Sequence, residues 1–217
     1  MPRKNIKMLA GKPLIAWTIE EAKKSKFIDM CIVSTEDEEI KSVAEEWGGH
    51  VPFMRPAELA QDDTPGIEPV LHAITMMPGY DFVVLLQATS PLRTAEDIDG
   101  AIAYCMEQGS ESCVSVTEAE HSPYWMYSMD KENRLQPILK IAKEDSYQRQ
   151  KLPKVYQLNG AVYVASVDFV RQEREFIGDD TLGYVMPQER SYDIDTVLDF
   201  EVAEAVMKRS VPTRIGK

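Results

Sequence analysis

Four stretches of the chain carry apolar residues at helical spacing. Pro13 opens the first, where its missing N–H has no helical partner to lose. Leu14, Ile15, Ile19 and Ala22 then give that helix an apolar side. Ile40, Val43, Ala44 and Trp47 stand at i, i+3, i+4 and i+7, one face of a helix, and Gly48-Gly49 ends it. Ile67, Val70, Leu71 and Ile74 repeat the spacing until Pro78-Gly79. Thr94 and Asp97 form an approximate capping box, with Asp in place of Glu, ahead of Ile98, Ala101, Ile102 and Cys105.

Short apolar runs lie between these helices. Met30-Cys31-Ile32-Val33 predicts a buried strand. Phe82-Val83-Val84-Leu85-Leu86 is continuous rather than alternating, the pattern of a strand covered by helices on both faces. The βαβα rhythm predicts an α/β fold with a mostly parallel sheet. In such sheets ligands bind at the carboxyl ends of the strands. The segments after Val33 and Leu86 are therefore the first places to look for function.

From Cys113 to about Leu158 the rhythm breaks. Val114 and Val116 alternate with polar neighbours, and Pro123, Tyr124, Trp125, Met126 and Tyr127 crowd together. Residues 113–158 read as an inserted β-rich excursion. Ala161-Val162-Tyr163-Val164 predicts a strand returning to the sheet, and a last helix is expected from about Thr196 to Lys208. At 217 residues, one domain with an elaboration is the simplest organisation.

Composition narrows the partners. A net charge of -12 argues against a general nucleic-acid binder, because a phosphate backbone is attracted by a basic face. A small anionic ligand needs only a few local cations, so it is not excluded. Cys31, Cys105 and Cys113 form no zinc-like pair, and an odd count suits a reduced, cytoplasmic setting. The sequence shows no charged-then-apolar leader and no apolar run of about 18 residues, so neither export nor a membrane span is expected.

Four constellations carry candidate chemistry. Leu85-Leu86-Gln87-Ala88-Thr89-Ser90-Pro91-Leu92-Arg93 ends a buried strand with an amide, two hydroxyls and a guanidinium. These can bind a sugar or base and offer Arg93 to a phosphate or carboxylate. The same residues also suit a plain strand-to-helix connection with Ser/Thr caps. Asp193 and Asp195 stand at i and i+2, a spacing that can share one hard cation such as Mg²⁺. Helix capping by Asp195 beside a solvated Asp193 is the commoner origin of such a pair taken alone, because Asp is a preferred cap and usually exposed. Gln148-Arg149-Gln150-Lys151 followed by Tyr156 and Asn159-Gly160 can hold an acidic sugar, or can form an exposed loop ending in an Asn-Gly turn. Arg55-Pro56-Ala57-Glu58-Leu59-Ala60, leading to Asp62-Asp63-Thr64-Pro65, suits a loop when taken alone.

The set as a whole resembles the acylneuraminate cytidylyltransferases, which make CMP-sialic acid and the related CMP-legionaminic and CMP-pseudaminic acids. The resembling residues are Pro2-Arg3-Lys4-Asn5, Gly11-Lys12-Pro13-Leu14, Val33-Ser34-Thr35, Arg55-Pro56-x-Glu58-Leu59-Ala60, Leu86-Gln87-x-Thr89-Ser90-Pro91-Leu92-Arg93, Arg149-Gln150-x-x-Pro153, Asn159-Gly160-Ala161-x-Tyr163 and Asp193-Ile194-Asp195. They occur in the family's order across nearly the whole chain. Each piece is weak alone, and the ordered set is specific. The Asp62-x-Thr64-Pro65 variant is similar to the legionaminic-type branch.

The resemblance implies a Rossmann-like nucleotidyltransferase core, with residues 113–158 reaching to a second subunit in a homodimer. It implies transfer of CMP from CTP to the anomeric hydroxyl of a sialic-acid-type nonulosonic acid, with Mg²⁺ as cofactor and pyrophosphate released. Carried over residue by residue, Asp193 and Asp195 hold the metal, and Lys4 faces the phosphates. Asn5, Ser34 and Arg55 contact CTP. Gln87, Arg149, Gln150 and Tyr163 contact the sugar, with Arg149 placed for its carboxylate.

One departure stands out. The family begins with an apolar strand and an Ala-Arg-x-Gly-Ser-Lys-type loop before the Pro-x-Lys-Asn segment, whereas this sequence begins at Met1-Pro2-Arg3-Lys4-Asn5. Such a loop lets backbone N–H groups approach a triphosphate. The expectation is either a start internal to a longer chain, the reading favoured here, or a chain that has lost catalysis. Two other functions therefore stay open. One is a cytidylyltransferase for another acid such as 3-deoxy-manno-octulosonate. The other is a non-catalytic binding or dimerising relative.

Overall fold

Each helical spacing folds as a helix in a computed structural model, which describes residues 3–139 and 152–210. A short hairpin, β1 (Met8–Leu9) and β2 (Lys12–Pro13), leads into α1 (Leu14–Lys24), with Pro13 at its N-cap. In α2 (Glu38–Glu46) the Asp37 side chain caps the helix by accepting from the N–H groups of Glu39 and Ile40. Gly48, at φ 78, then turns the chain away through the left-handed region that glycine enters without steric cost. α3 (Ile67–Met76) and α4 (Ala95–Glu107) follow. At the start of α4, Asp97 Oδ2 accepts from Thr94 N at 3.0 Å and from Thr94 Oγ1 at 3.1 Å. Asp therefore does here what Glu does in the commoner capping box.

The main sheet has four strands in the order β3 (Phe82–Leu85), β7 (Tyr156–Ser166), β4 (Ser112–Glu118) and β8 (Leu182–Val185). β5 (Tyr127–Met129) and β6 (Leu135–Pro137) form a separate hairpin. β7 runs antiparallel to both its neighbours, and β8 is parallel to β4. Three strands thus share one direction and β7 alone opposes them. The α/β reading holds, in a mixed sheet.

Helices cover both faces. α4 packs Ile98, Ala101, Ile102 and Cys105 onto Val162 and Val164. On the other face α3 and α5 (Val167–Glu173) bury Val70, Ile74, Val167 and Val170 with Ala165. Val84 faces the first cluster, while Val83 and Leu85 face the second. This two-sided packing explains the continuous apolar run. Burial of that strand is only partial, with Phe82 exposed, because β3 lies at the edge of the four described strands.

Two expected boundaries move. Met30–Val33 is extended chain rather than a sheet strand. It makes isolated parallel bridges, Ile32 to His50 and Thr35 to Met54, and Val33 packs on the α1–α2 cluster of Ile15, Ile19 and Ala44. Its partner is the segment after α2, so it gains no ladder in the main sheet. Cys113–Thr117 belongs to β4 and is largely buried within that sheet. The part of 113–158 that leaves the sheet therefore begins after Glu118 and ends before Tyr156. The last helix, α6 (Val197–Ser210), lies close to its expected place. No helix among the described residues is long and apolar enough to cross a membrane.

Candidate active site

The direction shared by β3, β4 and β8 puts their carboxyl ends on one edge of the sheet. Gln87–Ser90 leaves β3 there, and Met186–Asp195 leaves β8 there. The two segments meet where Ile194 N donates to Thr89 O at 2.9 Å. Ile194 itself is buried in a cluster with Leu9, Leu14, Phe200, Ala203 and Met207. An apolar residue between two aspartates thus anchors the segment, and it leaves Asp193 and Asp195 on the exposed side.

Lys4, in a 3-10 turn at Lys4–Ile6, reaches this segment from the start of the chain. Its Nζ donates to Ile194 O at 2.7 Å and to Asp195 Oδ1 at 2.9 Å. Two expected residues, Lys4 and Asp195, are therefore brought together from sequence positions 191 residues apart, with Asp193 exposed in the same segment. Asn5 lies half-buried in the same turn. The acidic stretch is braced upstream as well. Arg190 donates to both oxygens of Asp97, each at 2.8 Å, and Asp97 is almost fully buried. This charge-assisted fork fixes the stretch against the N-terminus of α4. The Asp97 carboxylate also raises the pKa of the Arg190 guanidinium.

Ser34 and Arg55 lie on the two extended segments that bridge beside α2. Arg55 N donates to Thr35 O at 2.9 Å, and its guanidinium pairs with Glu36. Ser34 Oγ and Arg55 Nε are both buried with no hydrogen-bond partner among the described residues. Unpaired buried polar atoms are uncommon in folded proteins and ask for an explanation. A bound ligand supplying acceptors is one. Ser90 Oγ, in a residue that is 1% exposed, is a third such atom and lies within the Gln87–Arg93 segment.

Gln87 sits over Gly160. A Cβ at position 160 would meet Gln87 Oε1 at 2.9 Å, and the glycine has φ 72. Gly160 is therefore what lets the amide of Gln87 lie where it does. Tyr163 is on the sheet face covered by α3 and α5, its ring 5.6 Å from that of Phe176. Burial, and then the Asp193 carboxylate, push its phenol pKa above the ordinary value. Arg149 and Gln150 lie outside the described residues.

Arg93 takes a role other than the one its position suggests. It is 2% exposed and points inward. Its Nη1 donates to Ala161 O at 2.7 Å and Gln87 O at 3.2 Å, and its Nη2 donates to Thr18 Oγ1 at 2.7 Å. Burial pushes its pKa down to about 10. Three neutral oxygens hold the cation in place of a carboxylate. Arg93 joins α1, β7 and the loop after β3 through both terminal nitrogens, while its Nε is buried with no hydrogen-bond partner among the described residues.

Among the described residues no group of three or more His, Cys, Asp or Glu side chains is placed to hold a metal by itself. The donor set suits Mg²⁺ nonetheless. Mg²⁺ takes one or two carboxylates and completes its shell with water and substrate phosphates. Asp195 already accommodates a cation, the Lys4 ammonium.

The family profile described as cytidylyltransferase matches residues 1–208. The chain belongs to the cytidylyltransferase family. It is a nucleotidyltransferase by that membership. It is 33% identical over 213 residues to the CMP-N,N'-diacetyllegionaminic acid synthase of Legionella pneumophila, covering 96% of this chain and 90% of that protein. It is 31% identical over 212 residues to the pseudaminic acid cytidylyltransferase of Campylobacter jejuni, covering 96% and 90%. Against the N-acylneuraminate cytidylyltransferase of Escherichia coli it is 33% identical over 208 residues, covering 95% of this chain and 48% of that protein. A solved CMP:2-keto-3-deoxy-manno-octonic acid synthetase complexed with CTP superposes with a TM-score of 0.71 at 14% identity, covering 97% of this chain and 94% of that one. That likeness is one of fold, and the fold is an α/β nucleotidyltransferase fold.

Several residues of the site carry no signal readable in the sequence alone. Thr18, Ser115 and Arg190 act through contacts made only once the fold brings them together, and Asp97, legible as a helix cap, gains its Arg190 partner only then. Asn159 is different. The Asn159-Gly160 pair, expected to end an exposed loop as a turn, lies instead buried inside β7, with Gly160 at φ 72.

Proposed function

We propose that the protein transfers CMP from CTP to the anomeric hydroxyl of a sialic-acid-type nonulosonic acid, with a legionaminic-type acid the first candidate. The observation that carries the proposal is the contact of Lys4 with Ile194 and Asp195, in the Asp193–Asp195 segment that the Ile194–Thr89 hydrogen bond holds beside Gln87–Ser90. Relatives that make CMP-legionaminic and CMP-pseudaminic acids over nearly this chain's whole length support the substrate class.

In the reaction the anomeric oxygen forms a bond to the α-phosphorus. The bond from that phosphorus to the bridging oxygen breaks, pyrophosphate leaves with the electron pair, and the hydroxyl proton passes to solvent. Such transfers depend on positioning and on neutralising negative charge. Asp193 and Asp195 are the residues to hold Mg²⁺, and a bound Mg²⁺ offsets charge on the triphosphate. Lys4 adds a cation beside the same phosphates. Asn5, Ser34 and Arg55 bind CTP, the last two through polar atoms left unpaired in the protein. Gln87 binds the sugar from its seat over Gly160, and Tyr163 is assigned to the same sugar. Arg149 and Gln150 are assigned to the sugar as well, Arg149 to its carboxylate.

The working form proposed is a homodimer in the cytoplasm. The hairpin β5–β6 and its flanks expose Trp125, Met126, Tyr127, Met129, Leu135, Ile138 and Leu139. Exposed aromatic and apolar side chains of this kind suit a protein interface. Cys31, Cys105 and Cys113 are all free thiols, which suits a reducing compartment.

The test is to incubate the protein with Mg²⁺, each of the four ribonucleoside triphosphates and a panel of acids: sialic, legionaminic, pseudaminic and 3-deoxy-manno-octulosonic. Mass spectrometry then identifies the products. The proposal expects a CMP-nonulosonate, formed from CTP. Preferential use of 3-deoxy-manno-octulosonate, or no CMP-sugar with any acid, counts against it.

A further inference from the structure

β7 is not a regular strand. Val114 pairs with Tyr163, yet Val116 pairs with Leu158, so two steps along β4 span five along β7. The surplus is a bulge at Asn159, Gly160 and Ala161, with Gly160 in the left-handed region at φ 72. A bulge leaves ladder groups unpaired, and here side chains satisfy them. Ser115 Oγ accepts from Val162 N at 2.8 Å and donates to Asn159 Oδ1 at 2.6 Å. Asn159 Oδ1 also accepts from Ala161 N at 3.2 Å. Asn159 and Ser115 are both buried.

The other end of the Asn159 amide points out of the sheet. Its Nδ2 donates to Ser191 Oγ at 2.9 Å and makes a weaker contact with Met186 Sδ at 3.3 Å. Ser191 Oγ in turn donates to Pro187 O at 2.8 Å. Ser191 is two residues before Asp193. The bulge therefore reaches the acidic segment through Asn159, while Gly160 gives Gln87 its seat and Ala161 O receives Arg93. Sugar-side and acid-side elements hang from three consecutive residues.

We infer that Asn159 is a positioning residue: it carries the register of the β7 bulge to Ser191 and so sets where Asp193 and Asp195 stand. Its consequence for turnover rests on the proposed metal role of those aspartates, while its geometric content does not. The amide is needed in full. Its oxygen closes the bulge and its nitrogen holds the segment. A carboxylate of the same shape keeps the first and loses the second.

The test uses Asn159→Asp, which spares the acceptor, and Ser191→Ala, which leaves the bulge untouched. The first readout is amide hydrogen exchange over residues 187–196, in protein without nucleotide, metal or sugar. The Ile194 amide, bonded to Thr89 O, is the reporter. Both variants are expected to exchange there about tenfold faster, the effect of one lost hydrogen bond, with β4 and α4 unchanged. The second readout is the Mg²⁺ concentration giving half-maximal turnover. It is expected to rise about tenfold while the KM for the sugar stays within about twofold. Unchanged exchange over 187–196 in both variants overturns the inference. So does faster exchange across the whole sheet with equal losses toward Mg²⁺, CTP and sugar, the behaviour of a residue that only stabilises the fold. Faster exchange confined to 187–196 in a protein that makes no CMP-sugar supports the inference and overturns the functional proposal instead.

Discussion

Lys4 Nζ lies 2.9 Å from Asp195 Oδ1. The aspartate side chain is 74% exposed and the lysine 22%, so the pair contributes little to stability. Its meaning is positional, because it sets a cation at the carboxylates proposed to bind Mg²⁺. Lys4→Met is expected to lower turnover about 100-fold, the usual scale for losing one charged contact to a reacting group, with little change in melting temperature. Steady-state kinetics alongside calorimetry separates the two effects. Turnover within twofold of the parent removes Lys4 from the site.

Arg93 makes the opposite prediction. Its guanidinium is buried against three oxygens, and removing it leaves two backbone carbonyls and a hydroxyl short of a donor. Arg93→Leu is expected to cost about 3 kcal/mol of stability, read by urea denaturation. A variant as stable as the parent contradicts the buried geometry. Because burial lowers its pKa to about 10 while the unfolded value stays near 12.5, the folded state is penalised at every pH below 10. The penalty declines only as pH rises through that interval, so none of the activity profile near neutrality traces to Arg93.

Gly160→Ala joins two costs. An alanine at φ 72 is strained by about 1–2 kcal/mol, and its methyl would displace Gln87 Oε1. The expected outcome is a raised KM for the sugar with the KM for CTP nearly unchanged. Equal rises for both substrates would detach Gln87 from the sugar side.

Cys105 and Cys113 are fully buried, and Cys113 is pushed up to about 12, chiefly by burial. Cys31 is half-buried, with its pKa raised from the same cause. The thiolate is the reactive form. At pH 8 a thiol reagent is expected to modify Cys31 slowly and the other two only after unfolding, as read by intact-mass spectrometry. Rapid modification of all three contradicts the packing of α4 on the sheet.

The proposed dimer predicts that Met129→Glu with Leu135→Glu shifts sedimentation toward the monomer. Both side chains are more than half exposed on the β5–β6 hairpin, so the single chain should keep its fold. An unchanged sedimentation coefficient would move any interface elsewhere.

Helices were legible where periodicity and caps agreed. Pro13 and the Thr94–Asp97 pair mark starts, and Gly48 and Gly79 mark ends. The apolar run at Phe82–Leu85 correctly implied helices on two faces. Direction and order were not legible, because pairing partners lie far apart in sequence. Nothing local in Ala161–Val164 says that β7 runs against its neighbours. Met30–Val33 has a strand's composition and gains only isolated bridges. Arg93 illustrates the limit at the site: a cation following a strand reads the same whether it turns outward to a phosphate or inward to carbonyls. Asn159-Gly160 reads in the sequence as a turn ending an exposed loop, whereas it is a buried bulge inside β7 whose role shows only in the Ser115 and Ser191 contacts.

The central claim is that Asp193 and Asp195 serve metal-assisted transfer from CTP to a sugar acid. Pyrophosphate release with CTP, Mg²⁺ and a nonulosonic acid, compared between the parent chain and Asp193→Asn, tests it most directly. Release is expected to require both sugar and Mg²⁺ in the parent and to be abolished in a folded Asp193→Asn protein. Equal release by the two, or none from the parent with any sugar acid, would contradict it.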